Sequence, residues 1–185
     1  RLFRMAQHIF DADGYQLIEI DHFALPNCSM TLASQTGMLF RNFQGYTTDP
    51  SMVLIEVGAS AISKFPQVYA QNAPGTAEYS KLIGTGDLTT VRGHGLTDHD
   101  RLKSDLIAAL LCQFQVRISD ICDSHDIHPT ALINRFERVN ARFENLLNVS
   151  EEGLIIPHEA RPLTRMIARE FDTYSLSDTG HSYAT

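Results

Sequence analysis

A change in hydrophobic period near Thr97 predicts two units, an open α/β piece over residues 1–95 and a mainly helical unit over 96–174. Two observations carry the first half. Helical and strand-like stretches alternate from the N-terminus, the rhythm of a parallel α/β sheet or barrel, and too few of them are present to close a barrel. One observation carries the second. Apolar residues step at threes and fours over three segments, interrupted by one short strand-like run, which predicts helices with a small β wing of winged-helix type.

Leu2, Met5, Ala6, Ile9 and Phe10 fall at helical spacing, and Asp13-Gly14 supplies a stop. Residues 15–21 read as a strand with Ile18 and Ile20 on one face. A second helix is predicted over 30–36, ending at Gly37. The apolar run 53–57, broken only by Glu56, reads as a buried strand delivering a turn at Gly58. A short helix is expected around 76–83, among Pro74, Gly75, Gly84 and Gly86.

Thr97 then caps a helix, with Asp100 three residues on as a near capping box. Leu102, Leu106, Leu110 and Phe114 form its apolar stripe. Thr130 opens a helix carrying Leu132, Phe136 and Val139, with the pattern running on to Leu147. Glu151-Glu152-Gly153 turns into a strand over 154–156, and Pro162 opens a last helix reaching Tyr174. Residues 175–185 are polar and are expected to fray.

The composition is that of an ordinary globular protein, with 43% hydrophobic and 20% charged residues. A net charge of −7 argues against a nucleic-acid surface, which needs clustered Lys and Arg. No apolar run reaches membrane-spanning length, so no membrane partner is expected. The chain opens on Arg1 directly in a helical pattern, and is expected to be part of a longer protein. Cys28, Cys112 and Cys122 are odd in number and scattered, which fits a reducing, cytoplasmic setting. Iron–sulfur ligands fall within a few residues of one another, so these thiols are not expected to hold a cluster. Cys112 reads as core.

The most informative segment is RNFQGYTT at 41–48, in which aromatic and polar residues alternate around one glycine. GASAIS at 58–63 brings small residues that let backbone approach a ligand, and YAQN at 69–72 adds amides and a ring. A turn-rich surface hairpin is the alternative. The order DHFALP (21–26), RNFQGYTT, GASAIS, YAQN, then Val91-Arg92-Gly93 with Leu96-Thr97, resembles the C-terminal part of the oxygen-independent coproporphyrinogen III oxidases. Leu111-Cys112 with Phe114, and FDTY at 171–174, extend the resemblance over nearly the whole chain.

That resemblance implies the last βα units of a radical S-adenosylmethionine (SAM), TIM-like barrel over 1–95, followed by the helical domain. It also implies an enzyme that oxidatively decarboxylates two propionates of coproporphyrinogen III to vinyls, giving protoporphyrinogen IX. In such enzymes a 4Fe-4S cluster reduces SAM, and the resulting 5′-deoxyadenosyl radical takes a hydrogen from the propionate. A flavodoxin- or ferredoxin-type electron donor and a monomeric state are implied as well. The family's Cys-x-x-x-Cys-x-x-Cys motif is absent here, so the chain alone is expected to be inactive. One departure stands out: Glu56 occupies a position, two before Gly58, where the family usually has glycine.

Specific residues follow. Phe43, Gln44, Gly58 and Ile62 match positions that lie against SAM, the isoleucine on its adenine. Without the resemblance, Phe43 reads equally as core, with Gln44 closing the turn at Gly45, and Ile62 reads as core. Asp21-His22 follows a predicted strand, where barrel active sites gather, so His22 is a catalytic candidate; a loop-fixing histidine is the alternative. Arg92 is a candidate for a tetrapyrrole carboxylate, or a surface Arg beside a glycine turn. His125 and His128 read as solvated loop residues, with no metal expected. The competing function is a haem-binding carrier or chaperone paralogue without oxidase activity. A winged-helix nucleic-acid module is disfavoured by the charge.

Overall fold

Short antiparallel ladders, not a parallel sheet, organise the chain in the computed structural model, which describes residues 2–42 and 44–172. Among the described residues, those up to Ser104 form one compact unit and those from Asp105 another. The division falls inside a helix.

In the first unit, α1 (Leu2–Ala12) stops where the sequence indicates, at Gly14 with φ +82°. The strand expected over 15–21 is much shorter. Only β1 (Gln16–Leu17) forms, pairing antiparallel with β2 (Phe23–Ala24), so Asp21-His22 sits in the link of a hairpin. Polar Asp21 and His22 favour that reversal over two more extended residues. Next comes α2 (Ser29–Thr36), closed by Gly37 in the left-handed conformation at φ 71°. RNFQGYTT folds as the antiparallel pair β3 (Phe40–Asn42) and β4 (Gly45–Thr47). Beyond it Ser51 donates to Asp49 from both hydroxyl and backbone N–H, holding that carboxyl below its usual range.

Residues 53–57 do not make the expected buried strand. Val53, Ile55 and Val57 are 45, 72 and 86% exposed, and a single bridge joins Leu54 to Lys64. The apolar run alone does not specify a strand, because its pairing partner must come from elsewhere in the chain. The first unit's main sheet is instead β5 (Ile62–Lys64), β6 (Val68–Asn72) and β7 (Thr90–Gly95), antiparallel throughout, with β6 central. YAQN is thus a strand rather than a loop. Between β6 and β7 runs α3 (Thr76–Thr85), ended by Gly86.

The capping box predicted for α4 (Asp98–Gln113) forms as expected. Thr97 Oγ1 accepts from Asp100 N–H at 3.2 Å, while Asp100 Oδ2 accepts from Thr97 N–H at 3.0 Å. Leu106 and Leu110 of its stripe are fully buried.

The second unit adds two elements the periodicity missed, β8 (Gln115–Arg117) and α5 (Ile118–Ser124). Their signal is faint because Phe114 takes φ +55° and breaks the apolar stripe between helices. Then α6 (Pro129–Arg142) buries Leu132, Phe136 and Val139. It ends before the predicted Leu147, since Glu144 and Asn145 both have positive φ. The β wing is present as β9 (Asn148–Ser150) and β10 (Gly153–Ile155), but β10 also pairs with β8, making a three-stranded sheet. Pro162 lies within a 3-10 turn (His158–Leu163) that leads into α7 (Thr164–Arg169). The helix predicted to reach Tyr174 therefore stops earlier. Thr173, Tyr174 and the tail 175–185 lie outside the described residues.

Phe136 and Phe171 meet edge to face at 6.0 Å, both fully buried. Arg135 stacks on Phe171 and donates to its carbonyl at 3.0 Å; burial lowers the Arg135 pKa. Gly153 is where β10 presses hardest on β8. A Cβ there would stand 1.9 Å from the Val116 carbonyl oxygen. Gly153→Ala is expected to destabilise this unit by about 1–3 kcal/mol, read as a lowered urea midpoint. An unchanged midpoint would show that β10 shifts without cost.

Candidate functional site

The sequence-predicted residues that are described converge on the first unit, around the turn that enters β5. Gly58 has φ +119°, a conformation that strains any residue with a side chain. Its peptide groups are fixed on both sides. The N–H donates to Tyr79 Oη of α3 at 3.1 Å, and the carbonyl accepts from Asn72 Nδ2 at 3.1 Å. Among the described residues, its chain neighbours aside, no atom lies within 4 Å of where a Gly58 Cβ would sit, so its open side has room for a ligand.

Asn72, the last residue of β6, is the hub of this arrangement and is 7% exposed. Besides Gly58, its amide reaches the Glu56 carbonyl at 3.5 Å, and its Oδ1 accepts from Thr89 Oγ1 at 3.0 Å. Its backbone N–H donates to the Ala61 carbonyl at 2.9 Å. One buried residue thereby ties together 56–61, β6 and the residue before β7. A buried amide satisfied at both ends has one orientation, which suits a fixed scaffold for a ligand-facing turn.

Gln44 occupies the tip between β3 and β4. Asn42 Oδ1 caps that tip by accepting from the Gln44 and Gly45 N–H groups, at 2.8 and 3.2 Å. The Gln44 amide reaches Glu56, linking the hairpin to the segment before Gly58. Phe43 lies outside the described residues. Ile62 opens β5 half-buried, opposite Gln71, and Gln71 in turn faces Arg92 on β7. Paired residues of neighbouring strands share a sheet face, so Ile62 and Arg92 stand on one face, two strands apart, or about 9–10 Å. Arg92 is exposed.

His22 belongs to the same neighbourhood. Its Nδ1 lies 2.9 Å from Asp21 Oδ1, and its ring meets Tyr46 of β4 edge-on at 4.7 Å. Asp21 thus orients the imidazole and leaves Nε2 for other partners. The guanidinium of Arg41 lies over the same Tyr46 ring, 5.9 Å from its centroid. Asp-His here is a hairpin-link pair rather than the end of a barrel strand.

His125 and His128 lie in the loop between α5 and α6, His128 exposed and His125 half-buried, and each has a partner. His125 Nε2 lies 2.7 Å from Asp105 Oδ2, and His128 Nδ1 accepts from Thr130 N–H at the start of α6. Among the described residues no three His, Cys, Asp or Glu side chains gather in a group that could hold a metal ion. This residue set does not fit an iron–sulfur cluster. Also among the described residues, no helix is long and apolar enough to cross a membrane.

Sequence reasoning missed Asn72, Tyr79 and the partner role of Glu56. The YAQN motif contained one of them, but nothing local marks which of its two amides is the buried one.

Comparison with known proteins gives the class first. The fold matches the solved coproporphyrinogen III oxidase of Escherichia coli, described as a radical SAM enzyme, with TM-score 0.85 and 33% identity. The match covers 93% of this chain and 40% of that one. By sequence the chain is 45% identical over 184 residues to the oxygen-independent coproporphyrinogen III oxidase of Paracoccus denitrificans, covering 100% of this chain and 41% of that protein. A Cereibacter sphaeroides enzyme of the same name is 42% identical over 176 residues, 95% of this chain and 39% of its own. No family model matches. The chain is therefore homologous along its whole length to the oxygen-independent coproporphyrinogen III oxidases, and it spans about two fifths of the length of these relatives.

Asn72→Ala is expected to cost about 1–3 kcal/mol, because the Gly58 carbonyl and Thr89 hydroxyl lose a buried partner. Urea unfolding measures the loss. Hydrogen exchange should speed selectively at Gly58, Ser60 and Ala61; a uniform change across the unit would argue against a local clamp.

Proposed function

We propose that this chain is part of an oxygen-independent coproporphyrinogen III oxidase and supplies one wall of its SAM site. The observation that carries the reading is the secured Gly58 turn, open on its Cβ side and linked through Glu56 to Gln44. The reaction is the oxidative decarboxylation of two propionates of coproporphyrinogen III to vinyl groups. SAM, when bound, supplies the radical that opens each decarboxylation. Residues 1–95 contribute the C-terminal part of the radical-SAM barrel, and 96–174 a helical domain with a winged-helix-like sheet.

Each residue has a task within that reading. Gln44 and the Gly58 backbone hold polar edges of SAM, Ile62 covers its adenine, Phe43 is a further SAM-contacting residue, and the turn excludes water from that side. Arg92 offers a guanidinium to a substrate carboxylate from the face that Ile62 shares. His22, oriented by Asp21, is placed to hold or pass a proton at Nε2. The 4Fe-4S cluster belongs to the rest of the parent protein, since the thiols here do not gather. A flavodoxin- or ferredoxin-type donor, a cytoplasmic location and a monomeric state complete the proposal. The haem-carrier alternative has no specific observation in its favour.

In the full-length protein, Gly58→Val should strain φ +119° and fill the open side of the turn. Ile62→Asp would set a charge against a purine face. Both are expected to raise the SAM Kd about tenfold or more and to lower 5′-deoxyadenosine formation, with the cluster intact. Cys112→Ala, a buried change in the second unit, should lower stability and leave the Kd unaltered. Wild-type affinity in folded, cluster-loaded Gly58→Val and Ile62→Asp proteins would remove this turn from the cofactor site.

The isolated chain, reconstituted anaerobically with iron and sulfide, should show no stoichiometric iron and no cluster absorbance. A full cluster on it would overturn the assignment of the ligands elsewhere.

A further inference from the structure

We propose that Glu56 is a positioning residue for Gln44, fixing which end of the Gln44 amide meets a bound ligand. The two residues are twelve apart in sequence and come from different segments, the β3–β4 tip and the approach to Gly58. Gln44 Nε2 lies 2.9 Å from Glu56 Oε2 and 3.1 Å from Oε1. An ionised carboxylate only accepts hydrogen bonds, so it holds the NH₂ end and leaves Gln44 Oε1 as the free end. Without such a partner the two ends of the amide exchange by a simple rotation.

Glu56 is itself anchored. Its N–H donates to the buried Ser63 Oγ at 3.0 Å, and its carbonyl accepts from Asn72. The carboxylate therefore projects from a fixed point on the same clamp that secures Gly58. No Lys, Arg or His side chain pairs with it among the described residues, so the amide is its one recorded side-chain partner.

Gln44 Oε1 then presents an acceptor to the ligand, and the ligand group it reads is a donor. A ribose hydroxyl or the exocyclic amine of an adenine has that chemistry; a ring nitrogen or a carboxylate does not. Glu56 thus sets the polarity of recognition without touching the ligand. This inference rests on the reading that the Gln44–Gly58 turn faces SAM.

The experiment measures SAM Kd and thermal midpoint in the full-length, cluster-loaded protein for Glu56→Gly, Glu56→Gln, Gln44→Ala and the Glu56→Gly/Gln44→Ala double variant. Glu56→Gly should raise the Kd about three- to tenfold, as expected for loss of one charge-assisted, solvent-accessible contact. Glu56→Gln keeps a carbonyl acceptor and should lose less. Both should melt like wild type, because Gln44 is exposed, Glu56 is half-buried, and the pair holds no core. The double variant should bind no worse than Gln44→Ala alone, since Glu56 acts only through Gln44. An unchanged Kd in Glu56→Gly while Gln44→Ala binds weakly would overturn the proposal. So would an effect of Glu56→Gly that persists undiminished in the Gln44→Ala background. If Gln44→Ala and Gly58→Val both bind as wild type, the SAM-site reading falls, and this inference with it.

Discussion

The first unit depends on one buried amide. Asn72 ends β6, and from there it holds the carbonyls of Glu56 and Gly58 while taking a hydrogen bond from Thr89. These partners lie 14 to 17 residues away in sequence, on both sides of it. A side chain with a donor end and an acceptor end is needed for this, and at 7% exposure water does not compete for either. Leucine would fill the volume and take a hydrogen-bond partner from three polar groups. The glycine turn, the start of β7 and the segment reaching toward the β3–β4 hairpin all take their positions from this contact.

The helices were far more legible than the strands, for a reason visible at particular residues. Each of α1, α2, α3 and α4 carries its own boundary: Gly14, Gly37 and Gly86 in left-handed conformations, and the Thr97–Asp100 box. Such signals act within four residues and can be read from a line of text. Strand pairing has no local marker. The apolar run 53–57 reads as a strand, yet Val57 is 86% exposed, and among the described residues the run's pairing is a single bridge from Leu54 to Lys64. The parallel rhythm read from alternating elements gave way to antiparallel ladders for the same reason. Order along the chain does not state which edges meet.

The site shows a similar split. Gln44, Gly58 and Ile62 were reachable from motifs and family likeness, since those motifs mark residues that face outward to a ligand. Tyr79, Asn72 and Glu56 support that face from behind, and their task is defined by distance to atoms in other segments. Glu56 was visible only as a departure from a glycine pattern, with no sign that its carboxylate would find Gln44. His125 and His128 are loop residues as read, but their partners, Asp105 for one and the first turn of α6 for the other, were not visible in the sequence.

The row Ile62–Gln71–Arg92 ties the two ends of the proposed chemistry to a common ruler. Strand residues alternate between faces, so adding one residue between Thr89 and Arg92 would turn the guanidinium to the opposite side of the sheet. The loop between Gly86 and Thr89 is free of that constraint, because Thr89 is pinned to Asn72 and absorbs whatever precedes it. Related chains should therefore vary in length between α3 and Thr89 and keep a fixed count from Thr89 to Arg92.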